Sequence, residues 1–264
     1  MGTLAARHAL VSEYEATCYG NPDPEWRGEK QKGIQELRYQ SAFLANISLW
    51  LVQPSSVCFT VGFHAITTLY TGDIADPPFI QHHEREGPFY CHAIHEHNQV
   101  CPKHVIRAAE LYTILETIPR QNAVWAALRA FSAALATYFP DYRYPLFWQG
   151  LESLFGSEQK TWKVTPRLCA RLSYFLADSP ILQQELFARV NACYDSRSKI
   201  IHGRWEEGPQ LDEDMLYTEN VARTVVRHII EKPGMLAAFL SPKRDDFLEA
   251  WVQSKAFTPP PFPT

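Results

Sequence analysis

The chain has 264 residues, 46% hydrophobic and 20% charged, a balance that supports a buried core in one large or two modest domains and excludes wholesale disorder. A formal net charge of −4 excludes a protein that coats nucleic acid through many lysine–phosphate and arginine–phosphate contacts, yet it leaves room for a small cationic cleft around one phosphate. Six cysteines are scattered at positions 18, 58, 91, 101, 169 and 193, several in apolar runs, as reduced packing thiols are rather than a disulfide framework. The opening Met-Gly-Thr-Leu-Ala-Ala-Arg-His has no basic stretch followed by an apolar one, so no secretory signal is expected. No apolar run reaches about 18 residues without a charge or a breaker, so no membrane span is expected either. A cytoplasmic protein is the resulting expectation.

In chain order, residues 4–17 read as a short helix closed by the Asn21-Pro-Asp-Pro24 turn. Residues 34–51 carry Ile34, Leu37, Ala42, Leu44, Ile47 and Leu51 at nearly helical spacing, and Pro54 stops them. Val57, Phe59, Val61 and Phe63 then alternate with polar or small residues, the signature of a half-buried strand, with Ile66–Tyr70 as its expected partner. Residues 71–102 read as loop. From about Lys103 the pattern is helical over 103–118, 122–138, 143–156, 166–177, 180–202, 212–231 and 243–254, with breaks at prolines and glycines. Asp212 or Asp214 is the expected N-cap of the 212–231 helix. The chain closes on a polyproline-like Thr-Pro-Pro-Pro-Phe-Pro-Thr. The expectation is a mainly α protein: a small α+β region over 1–104, a helical bundle over 105–235, and a C-terminal helix with a proline-rich tail over 236–264.

One segment is more specific than its surroundings. The helix around 180–204 contains Tyr194, Arg197, Ser198, Lys199, Ile200, Ile201, His202 and Gly203. This run resembles the final core helix of the Apea-like branch of the HEPN family, which reads Tyr-x-x-Arg-Ser-Lys-(Ile/Val)-(Ile/Val)-His-Gly. Upstream, Leu151, Glu152, Leu154 and Phe155 resemble that family's Leu-Glu-x-Leu-Phe helix, and residues 167–177 resemble its intervening arginine-rich helix. The likeness covers about 105–230. It implies a HEPN-type helical bundle that dimerises and cleaves RNA without metal through an Arg-x4–6-His motif, in toxin–antitoxin or anti-phage systems. Other members are non-catalytic modules that bind RNA or a protein partner. In the classical motif Asn, Asp or His follows the arginine, and here Ser198 stands in that place.

The residue types suit that chemistry. Histidine moves protons near neutral pH, and the arginine fork donates bidentately to phosphate. Arg197, His202 and Glu152 are therefore the candidate catalytic set, with Glu152 orienting one of the other two. Ser198, Lys199, Arg204 and Tyr194 are candidate substrate contacts. Residues five apart on a regular α-helix are rotated by about 140°, so a cleft using both Arg197 and His202 is easier to build from two copies. Gly203 reads as a C′ residue that ends the helix just beyond His202, where the helix dipole favours a cation. The expected partners are RNA, a second copy of the chain and an antitoxin or sensor protein.

Other motifs read more plainly. A second Arg-x4-His, Arg223 to His228, reads as chance on an exposed helix face. The Cys91, His92, His95, His97, Cys101 and His104 cluster invites zinc, but its spacing matches no standard finger or ribbon, so neither metal nor cofactor is expected. Trp26, Trp50, Trp125, Trp148 and Trp162 read as packing residues, and Cys169 and Cys193 as core fillers. No phosphate-cradling glycine loop, Gly-x-Ser-x-Gly elbow or His-Glu-x-x-His is present, which argues against ATPase, esterase and zinc-protease activity.

Overall fold

Proline sets where most of the described helices begin. Its fixed φ and missing N–H cost nothing at the first helical position, where the N–H has no intrahelical acceptor. The computed structural model describes residues 43–54, 61–66, 79–84, 100–156, 164–204 and 208–253. In these, α1 (43–52) is followed by strands β1 (Val61–Ile66) and β2 (Phe79–Glu84). Then come α2 (Pro102–Glu116), α3 (Ala123–Ala136), α4 (Pro140–Phe155), α5 (Val164–Leu176) and α6 (Pro180–Ile201), followed by α7 (Pro209–Glu231), α8 (Pro233–Leu240) and α9 (Arg244–Gln253). The described part is mainly α.

Prolines read as breaks in the sequence are therefore starts in the structure. Helix α4 begins at Pro140 rather than 143 and holds Pro145 inside it, and α7 begins at Pro209 rather than 212. Helix α8, for which the pattern gave no expectation, starts at Pro233. The N-cap of α7 is Gly208, so neither Asp212 nor Asp214 caps it. Asp214 is instead buried, accepting from Arg189 Nη1 at 2.7 Å, Ser196 Oγ at 2.6 Å and Gln210 Nε2 at 2.9 Å. Polar side chains cap two other helices. Asn122 Oδ1 accepts from the Trp125 N–H at the start of α3, and Ser179 Oγ accepts from the Leu182 N–H at the start of α6.

Strand β1 pairs antiparallel with β2, from Val61 opposite Glu84 to Ile66 opposite Phe79. This corrects the expected partner at 66–70 and the loop reading of 71–102. Phe-Ile-Gln-His-His-Glu has no apolar alternation, so β2 carried no strand signal. The expected 4–17 helix, Trp26 and Trp162 lie outside the described residues.

The core forms around α3 and α4. Nine of the fourteen residues of α3 are buried, including Val124, Leu128, Phe131 and Leu135. Helix α4 reaches it through Gly150, where a Cβ would stand 2.2 Å from the Phe131 ring. Trp50 of α1 completes an aromatic cluster with Phe131 and Phe147, ring centroids 5.9 and 6.5 Å away. Each such ring contributes about 1.5–3 kcal/mol by leaving water.

Helix α4 is also tied by polar contacts. Arg143 Nη2 meets Glu219 Oε2 of α7 at 3.1 Å with both side chains buried, and the Trp50 indole N–H donates to the other oxygen at 2.9 Å. At its far end, the Phe155 carbonyl accepts from Arg171 of α5 and the Ser153 carbonyl from Arg244 of α9, which satisfies carbonyls that a helix end leaves open. Arg171 holds α9 through Asp245 and Glu249, at 2.8 and 2.6 Å. The last turn of α4, which carries Glu152, is thereby held by both α5 and α9.

Candidate functional site

Helix α6 runs 22 residues, about 33 Å at the usual rise, and crosses α4. Tyr194 and Arg197, three apart on α6, face Trp148 and Glu152, four apart on α4, the spacings that put side chains on one helix face. The Tyr194 ring is buried and meets Trp148 edge-on, centroids 5.0 Å apart. Its hydroxyl donates to Glu152 Oε1 at 2.9 Å. The same oxygen takes Arg197 Nη2 at 3.2 Å, and the Arg197 guanidinium lies over the Tyr194 ring, 5.2 Å from its centroid. Arg197 and Glu152 keep 23% and 28% of their side-chain surface, so the pair lies at the rim of the packing, within reach of water.

Two turns of chemistry follow on the same helix. Ser198 is half-buried, whereas Lys199, His202 and Arg204 are exposed. The helix closes as the sequence suggested: Gly203 has φ +64°, its N–H donates to the Ile200 carbonyl at 2.9 Å, and the Arg204 N–H donates to the Lys199 carbonyl at 2.8 Å. That pair of bonds is a Schellman closure, which glycine permits because it has no Cβ to clash at positive φ. His202 is thereby the C-cap, its N–H on the Ser198 carbonyl at 3.2 Å. Lys199 and Arg204 add positive charge where the helix dipole is negative.

The structure thus brings Tyr194, Arg197 and Glu152 into one cluster, and leaves His202, Lys199 and Arg204 as a separate exposed group at the helix end. Arg197 is turned toward α4, with Glu152 and the Tyr194 ring as its partners among the described residues. Trp148, read from sequence only as packing, is the buried support beneath Tyr194. Its position four residues before Glu152 was the available signal.

The second Arg-x4-His does not lie on an exposed face. Both residues are half-buried, with the His228 ring edge-on to Phe175 at 4.9 Å and its Nε2 3.0 Å from Lys232 Nζ. Burial, reinforced by Lys232, lowers the His228 pKa. Cys169 and Cys193 are buried, and burial pushes their thiols up to about 12 and about 11, far from the thiolate a nucleophile needs. Of the cysteine–histidine cluster, Cys101 and His104 are described, and His104 Nδ1 accepts from the Cys101 N–H at 3.3 Å as a local helix cap. Cys91, His92, His95 and His97 lie outside the described residues. Among the described residues no group of His, Cys, Asp and Glu side chains is placed to hold a metal ion, and no helix is long and apolar enough to cross a membrane.

No protein-family model matches this chain, and neither a curated protein nor a solved structure matches it.

Proposed function

We propose that this chain is a metal-independent endoribonuclease with a HEPN-type bundle. The observation that carries the reading is that a guanidinium and an imidazole both reach solvent from the last turns of one helix whose inner face is locked on buried Tyr194 and Trp148. In this reading the ribose 2′-hydroxyl attacks the adjacent phosphorus and the bond to the 5′-oxygen breaks. The products are a 2′,3′-cyclic phosphate and a free 5′-hydroxyl. Arg197 offsets charge on the phosphorane, His202 transfers a proton or holds the phosphate, and Glu152 positions Arg197 at the cleft in the free chain. Lys199, Arg204 and Ser198 line the RNA, with the Tyr194 ring beneath Arg197. Because Arg197 and His202 leave the helix in different directions, two chains related by a two-fold axis complete the cleft, one giving the arginine and the other the histidine. A toxin or anti-phage role in the cytoplasm, restrained by an antitoxin or sensor protein, accords with such an activity.

Incubating total RNA in EDTA with the wild type, Arg197→Ala and His202→Ala tests this. Cleavage by the wild type that both substitutions abolish is the expected result. Cleavage that survives both eliminates the site.

A second reading has an observation of its own. The ion pair with Glu152 neutralises Arg197 in the free chain, as suits a non-catalytic module that binds RNA or a protein partner. Absence of cleavage by any of the three proteins, with RNA binding retained, selects it.

A further inference from the structure

Resting on the reading of Arg197 as a phosphate ligand, we propose that Glu152 is a built-in competitor for that phosphate, so that Arg197 is held in a self-inhibited position until RNA displaces the carboxylate. The contact is made for exchange. Arg197 gives Glu152 one nitrogen, Nη2, at 3.2 Å rather than the two-pronged bond an arginine makes with a carboxylate it is meant to keep. The acceptor oxygen is shared with the Tyr194 hydroxyl at 2.9 Å, which leaves Glu152 a hydrogen bond of its own once the arginine departs. Arg197 Nε is buried and has no acceptor among the described residues, so the observed placement leaves a donor there that a rotated guanidinium could spend on a phosphate oxygen. Both side chains reach water, where an ion pair is worth little and a phosphodiester, which can take the arginine fork through two oxygens, displaces it. The rest of the cluster stays put: the Tyr194 ring is wedged against Trp148, 5.0 Å between centroids, and serves as the platform over which the guanidinium slides. RNA affinity is thereby set by the difference between a phosphate and Glu152 as partners for one cation.

The test is binding, separated from cleavage. A fluorescein-labelled 2′-O-methyl oligouridylate, which lacks the attacking hydroxyl, is titrated by anisotropy into the wild type, Glu152→Gln, Tyr194→Phe, Arg197→Ala and the Glu152→Gln/Arg197→Ala double variant, each checked for a native thermal transition. Glu152→Gln is expected to bind about two- to fivefold tighter, the most that competition from an exposed ion pair allows. Tyr194→Phe keeps the ring but removes the hydrogen bond that Glu152 retains once the arginine departs, and is expected to weaken binding, by less than Glu152→Gln strengthens it. In the Arg197→Ala background the Glu152→Gln gain is expected to vanish. An equal gain in both backgrounds means that Glu152 acts only by its charge at a distance and overturns the proposal, as does a Glu152→Gln variant that binds no tighter. Should Glu152→Gln lose its native transition, Tyr194→Phe decides alone, and an affinity that does not fall there overturns it. If Arg197→Ala binds as well as the wild type, the phosphate-ligand reading beneath the proposal falls instead.

Discussion

Two clusters in this bundle are built from the same parts: an arginine, a glutamate and an aromatic ring, with α4 contributing to both. In one, Arg143 and Glu219 keep 2% and 4% of their side-chain surface, and both carboxylate oxygens are occupied, one by Arg143 and one by the Trp50 indole. In the other, Arg197 and Glu152 keep 23% and 28%, and a single oxygen serves both the arginine and Tyr194. The sealed cluster ties α1 and α7 to the start of α4, the open one ties α6 to its end. Charges sealed from water depend on each other because nothing else can solvate them, whereas charges at the rim can exchange partners with solvent or ligand. The difference separates a contact that holds the fold from one available for function.

The largest effect expected follows directly. Glu219→Ala, which leaves Arg143 buried without its counter-charge, is expected to cost about 3–5 kcal/mol, a large part of the 5–15 kcal/mol typical of a folded domain (roughly). Arg197→Ala is expected to cost about 1 kcal/mol or less. Urea unfolding of both variants measures the ratio, and equal costs would erase the distinction between the clusters.

Part of this was legible beforehand and part was not. All seven helices expected after residue 100 were placed by apolar periodicity within three residues at each end, because a long amphipathic pattern is a strong signal. The widest misses, three residues each, are the starts of α4 and α7, where Pro140 and Pro209 open the helix earlier than its apolar pattern shows. Tyr194, Glu152 and Arg197 were singled out by wording around the motif, and the structure places them in contact. The Arg143–Glu219 pair was invisible, since the residues lie 76 positions apart and each looks in sequence like an ordinary surface charge on a helix. Asp214 was misread for the same reason: an acid near a helix start resembles a cap unless its burial against Arg189 and Ser196 is known. Local chemistry announces helix ends, while long-range pairing of charges has no local trace.

A sharper probe of the open cluster is its helix end. An added Cβ at Gly203 meets nothing within 4 Å, so Gly203→Ala carries only the cost of a left-handed backbone, about 1–2 kcal/mol. Gly203→Asn is expected to cost less than Ala, because Asn accepts that conformation. Melting temperatures rank the three proteins. If Ala and Asn are equal to glycine, the Schellman closure does not fix His202.

The smallest effect concerns the other histidine, half-buried near the end of α7. Its own helix presents Lys232, Nζ 3.0 Å from Nε2, and Glu231, while Asp178 and the Phe175 ring approach from α5 and the residues after it. Burial and then Lys232 outweigh the two carboxylates and lower the His228 pKa from 6.5. The unfolded chain therefore takes up a proton on this side chain at higher pH than the folded one does. Stability due to neutral His228 is complete above pH 6.5 and is lost as pH falls through the lower folded value. Glu231 does not confuse the measurement: burial raises its pKa, but Arg107 and Arg227 outweigh that and hold it below 4.5. Melting temperatures of the wild type and His228→Gln at steps from about pH 7.5 to 5.5 should diverge, the wild type falling further. Parallel curves would mean that His228 accepts its proton without cost, and that the second Arg-x4-His lies as open to solvent as the first.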